Sequence, residues 1–496
     1  MDDDQTRAVD LARSGKSFFL TGAGGTGKSY VIRSIVEALK REGKDVALTA
    51  MTGCAALLLG KGAKTLHSWA GIGLGKDTVQ TLIVKLRKSF RAKKCWLTAD
   101  ALIIDEVSMM TPELLDKLEE IGKAIRRNPK SFGGLQIILV GDMYQLPPIN
   151  RDSDSDHLFV FEGAAWKRCI QDSVVLRTVH RQSDPVFLKV LDEARAGRLS
   201  QESIDILETR RNNDWKRLEI KPTLLFTRRA DVEQINMTQL QKCPGPDVVF
   251  KAKTVQTPAM FTKSATETEV KWAIEKMDKN GSYVPELVLR KGAQVMLLTN
   301  MDIEHGLVNG SRGVIERFCD SREGAGYPMV KFKNGEVIII SPASWASEDV
   351  DGLTREQIPL RLAYAITIHK AQGATLDCAL IDIGDNTFEY GQAYVALSRV
   401  RSLDCLYIWD LKPSAFMVHP KVKAFLDVVY SLDIVPTPDP QNSVHVDPQG
   451  IALRECRMNS VHVDPQERPL SMMSAQSIPR SAPCIEVSAE GSDDPV

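Results

Sequence analysis

Nine residues, Thr21-Gly22-Ala23-Gly24-Gly25-Thr26-Gly27-Lys28-Ser29, have the types and spacing of a phosphate cradle, GxxxxGK[ST]. Glycines let the backbone curl until consecutive N–H groups point inward, and the positive end of the next helix adds to the attraction for an anion. In such a loop Lys28 reaches the β- and γ-phosphates of ATP and the Ser29 hydroxyl ligates Mg²⁺. Phe18-Phe19-Leu20 ahead of it reads as a strand, and Ile32, Ile35, Val36 and Leu39 behind it recur at helical spacing. The loop therefore sits where a strand hands over to a helix, which separates a nucleotide site from a chance glycine-rich turn.

A second constellation is the apolar run Leu102-Ile103-Ile104 ending in Asp105-Glu106. In a P-loop fold the first acid meets the Mg²⁺ shell and the next polarises the attacking water, so Asp105 is the metal partner and Glu106 the base. A third is Gly141-Asp142-Met143-Tyr144-Gln145-Leu146-Pro147-Pro148, in which Gln145 is placed to contact the γ-phosphate and report its loss.

These residues need strands that end on one side of a sheet. Val46-Ala47-Leu48-Thr49, Leu102-Ile103-Ile104-Asp105 and Leu135–Val140 read as buried parallel strands within an alternating strand–helix pattern over residues 1–170. A second alternating block starts near Val174-Val175-Leu176, includes Thr223-Leu224-Leu225-Phe226, and resumes with Ala379–Ile383 and Leu406-Tyr407-Ile408. Two α/β domains follow. Between about 245 and 355 the texture shifts to short strands separated by turns, with Asn334-Gly335 as a strong hairpin signal. This predicts a small antiparallel β-barrel inserted in the second α/β domain. The expected divisions are 1–170, 171–245, 246–355 and 356–433, with a disordered tail over 434–496 rich in Pro, Ser and Asp. In that tail Asn442–Gln449 recurs letter for letter as Asn459–Gln466, which reads as a slippage duplication in unconstrained chain.

Composition narrows the function classes. With 496 residues, 43% hydrophobic and 26% charged, the chain suits a protein of several packed domains, and no apolar run approaches the roughly 20 residues of a membrane helix. No membrane role is expected. A formal net charge of −1 lacks the basic excess that advertises nucleic-acid binding, although a local groove needs none. Basic clusters near Lys85–Lys94 and Arg126–Lys130 read as solvated helix faces. Nine cysteines without a C-x-x-C pair suggest a reduced compartment and no zinc site or disulfide framework. The acidic opening Met1-Asp2-Asp3-Asp4 is unlike a mitochondrial transit peptide, so the nucleus or cytosol is expected rather than an organelle, with the nucleus as the assigned location and the mitochondrion as the disfavoured alternative.

Taken together, these motifs resemble the superfamily-one helicases, in particular the Pif (petite integration frequency) family of DNA helicases, over nearly the whole chain up to about residue 430. Asp116–Ile121 with Arg126 is similar to that family's signature segment. The resemblance implies two RecA-like P-loop motor domains, the first with a small wedge insertion and the second with an SH3-like barrel insertion. It assigns Gln5 to the adenine and Arg181 and Arg399 to the γ-phosphate as fingers delivered from the facing domain. His180 stands where the family carries an aromatic residue. Gly373, in the segment Tyr364–Leu376, is assigned to the nucleotide. Thr52, Thr65, His67, Trp69, His369, Gln392, Tyr394, Ser398, Arg401 and Leu411 are assigned to DNA, with Trp69 and Phe132 as candidates for stacking on bases; spacing alone leaves His369 and Lys370 open to either ligand. The implied activity is that of a monomeric, ATP-dependent 5′-to-3′ DNA helicase acting on single-stranded and forked DNA, in replication, recombination, repair or telomere maintenance. Two other readings stand beside it: a RecD-like or relaxase-type helicase, and an ATP-gated DNA-binding scaffold. The match from Asp116 to Pro148 speaks against the first, and the intact set of catalytic residues against the second.

Overall fold

The computed structural model describes residues 1–433 apart from 61, 74, 149–157, 213, 257–265, 282, 303, 304, 306, 322, 323, 348, 349 and 351. The duplicated tail segment, and the disorder expected of it, lie outside the described residues. The fold is mixed α/β, built on two parallel sheets.

Strands that are apolar on both faces need helices on both sides, and the first sheet has them. Its six strands run in the order Lys64–Thr65, Val46–Ala50, Ala101–Asp105, Gln136–Gly141, Phe18–Gly22 and Asp172–Leu176, all parallel. On one face the helix Lys28–Arg41 buries Val31, Ile32, Ile35 and Leu39, the stripe expected from its spacing. The helix Pro112–Arg126 buries Leu115, Leu118, Ile121 and Ile125 in a separate cluster that takes in Leu102, Ile104 and Leu139 of the strands. Because the strands are parallel, Gly22, Asp105 and Gly141 all end at the same edge of the sheet. That is the edge at which open α/β sheets hold ligands.

The second sheet is also parallel, in the order Ala365–Thr367, Thr223–Phe226, Ala379–Ile383 and Leu406–Leu411. Between the first two of these the chain departs into antiparallel structure. A five-stranded sheet runs Val337–Ile339, Gly324–Phe332, Arg312–Ser321, Gln294–Leu297 and Leu360–Leu362, flanked by a three-stranded and a two-stranded sheet. Asn334-Gly335 does form the hairpin turn: Gly335 takes φ 92° and its N–H donates to the Phe332 carbonyl at 2.9 Å.

Two of the expected boundaries are corrected. Val174-Val175-Leu176 belongs to the first sheet, in register with Leu20, Thr21 and Gly22, because this apolar strand covers the open edge of the P-loop strand. The helix Pro420–Leu432 also leaves the second lobe: Val422, Leu426 and Val429 are buried in the first-sheet cluster with Phe19, Phe161 and Trp166. The buried Asp433 carboxylate at its end pairs with Arg7 and, at 2.9 Å, with Arg177.

The signature helix is a scaffold. Arg126 donates to three carbonyls, those of Trp96, Ala99 and Gly133, at 2.6–2.9 Å. Buried Glu119 accepts from Ser131 Oγ at 2.9 Å and pairs with Arg168. Phe132, expected as a base stacker, is instead fully buried beneath this helix at φ 52°, its carbonyl so close to Gly122 that a Cβ there would lie 2.8 Å from it.

Leu426→Ala is expected to cost about 3 kcal/mol of stability, read as a lower urea midpoint. A chain ending at Asp433 should keep the full-length midpoint.

Candidate nucleotide site

The cradle is built by backbone conformations that only glycine takes easily. Gly25 and Gly27 sit at φ 93° and 85°, and a Cβ on Gly25 would lie 2.8 Å from Cβ of Arg181. A Cβ on Gly22 would meet the Leu176 carbonyl at 2.8 Å. The helix Lys28–Arg41 starts at Gly27 with no side-chain cap, so its first N–H groups are left to an anion. Lys28 Nζ, on a half-buried side chain, donates to the carbonyls of Gly22 and Ala23 at 2.8 and 3.0 Å. Burial pulls its pKa below the usual lysine value, while Asp142, Glu106 and Asp105 hold the charge in place. Thr26 Oγ1 ties the loop to the Ala23 carbonyl at 2.9 Å.

The acids stand opposite. Asp105 ends a fully buried strand, and burial, reinforced by the neighbouring Glu106, pushes its pKa up to about 7. With the Ser29 hydroxyl on the same cavity wall, this carboxylate offers the hard oxygen ligands that suit Mg²⁺. Glu106 occupies the left-handed region at φ 58°, ψ 42°, a costly conformation for a non-glycine residue that turns its carboxylate into the cavity. Its Oε2 accepts from Gln372 Nε2 at 3.0 Å. Gln145 lines the same cavity with a buried Oε1 that has no hydrogen-bond partner.

The far wall of this cavity of about 440 Å³ comes from the second lobe and the segment leading to it: His180, Arg181, Gly373, Thr375, Arg399 and Arg401. Arg181 Nη1 donates to the Ser398 carbonyl at 3.0 Å. Burial and the nearby Arg399 and Arg401 draw its pKa down to about 10. Arg399 is fully enclosed and donates to the Val395 carbonyl at 2.7 Å and to Ser398 Oγ at 2.5 Å. Among the described residues none of these three guanidiniums forms an ion pair. Three unpaired cations facing a phosphate cradle make a site for a polyanion.

Gln5 lies against the cradle, its Nε2 3.2 Å from His180 Nε2, and the His180 N–H donates to the Gly25 carbonyl at 2.8 Å. The histidine that departs from the family pattern thus contacts the residue assigned to adenine.

Several residues assigned to DNA lie elsewhere, and each is a correction. Tyr394 is buried: the Gly24 N–H donates to its Oη at 2.8 Å, and its hydroxyl donates to Asp142 Oδ2 at 3.2 Å. Gln392 is buried and accepts from the Phe388 and Glu389 N–H groups. Ser398 and Leu411 are buried as well, the first donating to the Val395 carbonyl at 3.0 Å, the second in the apolar cluster of the second sheet. The cause is common: every residue of the helix Gln392–Leu397 is buried, so it has no face to offer a strand of DNA. Arg401 lines the phosphate cavity instead. Trp69 is core, its ring 4.8 Å from that of Trp96. Thr52, Thr65, His67 and His369 remain partly exposed. Thr65 caps the helix Leu66–Ala70, accepting from the Ser68 N–H at 3.3 Å, and Thr52 accepts from the Ala55 N–H at 3.2 Å. Burial lowers the pKa of both His67 and His369.

Sequence reasoning missed the link between the lobes. Asp142, fully buried, takes a two-point bond from Arg195 of the helix Pro185–Arg195 at 2.8 and 3.2 Å, as well as the Tyr394 hydroxyl. Arg195 also stacks over the Tyr144 ring at 4.5 Å. Asp142 stands in a recognised motif three residues before Gln145, which was the available signal; nothing local marked Arg195. Arg195→Met should cost about 3–5 kcal/mol, because it strands a buried carboxylate, and chemical denaturation reads that loss directly.

Comparison with known proteins places the chain. A family model described as PIF1-like helicase matches residues 2–204, and one described as the 2B domain of DNA helicase Pif1 matches residues 274–318. The chain is 38% identical over 424 residues to the ATP-dependent DNA helicase PIF1 of Xenopus laevis, a match covering 85% of this chain and 63% of that protein. The chain thus spans about 63% of the length of such curated relatives. Among solved structures, it is 34% identical to the Pif1 helicase from Candida albicans, covering 86% of this chain and 99% of that one with a TM-score of 0.70. To the Bacteroides sp Pif1 in complex with ADP-AlF4 it is 26% identical, covering 87% and 97%, with a TM-score of 0.71. On this identity across almost the whole of a solved relative, and on the site built above, the chain belongs to the PIF1-like helicase family.

Proposed function

We propose that this protein is an ATP-dependent DNA helicase that moves 5′ to 3′ on single-stranded DNA and opens duplex or forked DNA. The observation that carries the reading is the set of three guanidiniums, Arg181, Arg399 and Arg401, without an ion pair among the described residues, that line the same cavity as Lys28. The similarity to the Xenopus laevis ATP-dependent DNA helicase PIF1 supports it.

In this reading the triphosphate enters the cradle and displaces the Gly22 and Ala23 carbonyls as the partners of Lys28 Nζ. Ser29 and Asp105 would hold Mg²⁺, which would supply further positive charge to the phosphates. Glu106, aimed by its left-handed backbone and by Gln372, takes the proton of the attacking water. Arg181 and Arg399 stabilise the charge that develops on the γ-phosphoryl oxygens. Gln145, with an unpaired acceptor at the cavity, senses the water or the phosphate. Loss of the γ-phosphate removes the anion between the arginines and Lys28, and like charges then favour an open cleft.

The finer assignments belong to the same proposal. The antiparallel insertion is an SH3-like barrel within a second RecA-like motor, and the helices Val79–Lys88 and Phe90–Thr98 form the wedge insertion of the first. The strand track passes Thr52, Thr65, His67 and His369. The protein acts as a monomer in the nucleus, in replication, recombination, repair or telomere maintenance.

Unwinding of duplexes carrying a 5′ or a 3′ single-stranded tail, with and without ATP and Mg²⁺, tests activity and polarity together; opening of the 3′-tailed substrate alone contradicts the proposal. Lys28→Ala is expected to remove DNA-stimulated ATP hydrolysis. Arg181→Gln should retain nucleotide binding and lose about 10³-fold in turnover, measured as steady-state phosphate release.

A further inference from the structure

Cys378 and Cys405 each stand one residue ahead of a strand, Ala379–Ile383 and Leu406–Leu411, and these strands pair in parallel with Ala379 opposite Leu406. That register sets the two cysteines side by side, although 26 residues separate them in the chain. Cys405 closes the 3-10 turn Leu403–Cys405 that leads into its strand, and the strands that both cysteines enter lie about 4.8 Å apart where Ala379 faces Leu406, comparable to the roughly 4.4–6.8 Å between α-carbons that a disulfide spans. Each thiol is the largest influence on the other's titration. Cys378 is buried and Cys405 is half-buried, so a small solute reaches Cys405 first.

Beside them lies a cation in need of an anion. Arg312 is fully buried; its Nη1 donates to the Lys221 carbonyl, while Nε and Nη2 have no hydrogen-bond partner. The groups able to offset its charge are Cys378, Asp377 and Cys405. A buried guanidinium without a full partner favours a thiolate next to it. The neighbouring Cys378, with help from Ser402 and Lys333, draws the Cys405 thiol below the usual cysteine range, while Cys378 itself is pushed up by Cys405 and by burial. One sulfur is therefore prepared as nucleophile and the other keeps its proton.

We propose that Cys378 and Cys405 are a reversible dithiol–disulfide pair oxidised by hydroperoxides, with Cys405 the attacking thiolate and Cys378 the resolving thiol. The Cys405 thiolate attacks one peroxide oxygen and the O–O bond breaks, giving a sulfenic acid and hydroxide. Cys378 gives up its proton and attacks the Cys405 sulfur; the S–O bond breaks, and the oxygen leaves as water. Two thiols and one hydrogen peroxide thus become one disulfide and two waters, the peroxide taking both electrons. Such a pair fits a reduced compartment, where transient disulfides report oxidant.

The location gives the switch an output. Arg312 opens a strand of the five-stranded sheet, and its Nη1 grips the chain just before the strand Thr223–Phe226 of the parallel sheet. Gly310, two residues earlier, packs so closely that a Cβ there would lie 2.6 Å from the carbonyl of Thr375, a residue of the nucleotide cavity. Disulfide formation removes the thiolate from Arg312 at the seam between the inserted sheets and the second lobe.

The test uses the full chain, treated with an equimolar amount of hydrogen peroxide at pH 7 and mapped after alkylation under non-reducing conditions. The expected product is a Cys378–Cys405 linked peptide that dithiothreitol releases, present in Cys54→Ser and absent in Cys405→Ser. Pairing of other cysteines in its place, or Cys378 left alkylatable beside a Cys405 sulfinic acid, overturns the proposal. A second measurement needs no variant: between pH 6.5 and 8 an ordinary thiol's alkylation rate rises roughly twentyfold, whereas that of Cys405 should stay nearly flat. A twentyfold rise at Cys405 removes its role as the attacking thiolate.

Discussion

The buried carboxylate of Asp142 is the tie on which the arrangement of the site depends. It directly follows the strand Gln136–Gly141 of one sheet, yet its charge is met by Arg195 and a further bond comes from Tyr394, both from beyond that sheet. Burial alone would raise its pKa; the guanidinium instead keeps it below the usual carboxylate range, with Lys28 adding to the effect. Tyr394 carries the connection on to the Gly24 N–H, so the phosphate cradle is fastened to the second lobe by a chain of buried hydrogen bonds. Within a low dielectric such a chain holds only if every member is satisfied, which makes the two lobes respond to each other as a unit.

Around this tie the cavity is balanced by opposed charges that cannot all neutralise one another. Lys28 loses pKa to burial and regains support from three acids, while Arg181 and Arg399 form no ion pair among the described residues and share the charge of Glu106. Asp105 is pushed the other way, toward protonation. A phosphate chain with its metal ion is the ligand that resolves both imbalances at once: anion for the arginines and Lys28, cation for Asp105. The unpaired Oε1 of Gln145 and the strained backbone of Glu106 point to the same place. The molecule holds its site in a state of unmet electrostatic demand, stabilised by the packing of two parallel sheets.

The antiparallel insertion is joined to the second lobe by equally close contacts. Gln294 of the five-stranded sheet exchanges hydrogen bonds with Lys221, its Oε1 accepting from the backbone N–H at 2.8 Å and its Nε2 donating to the carbonyl at 2.8 Å. Arg312 binds the same carbonyl. This seam lies behind the segment that supplies Gly373 and Thr375 to the cavity, so a change of charge at the seam and a change of ligand in the cleft act on one continuous piece of structure.

Much of this was legible in the sequence, for a local reason. Gly22–Ser29, Asp105-Glu106 and Gln145 are each read from a strand followed within a few residues by its chemical group, and a parallel sheet then brings such groups to one edge. Arg181 and Arg399 were legible only through resemblance, since nothing nearby says that they face a phosphate. The errors fell where burial decides. Gln392, Tyr394 and Ser398 have polar types that suit a DNA contact, but their helix is enclosed on all sides; Trp69 and Phe132 are aromatic, but they fill the core beside Trp96 and Gly122. The helix Pro420–Leu432 shows an apolar stripe in sequence without showing which lobe it will cover. Local spacing by itself determined the cradle, the acids and the strand order's raw material, because those need only neighbours in the chain. Which side chains pair across long distances, Asp142 with Arg195 and Gln5 with His180, was decided by tertiary structure alone, because only packing brings residues so far apart in the chain within a bond of each other.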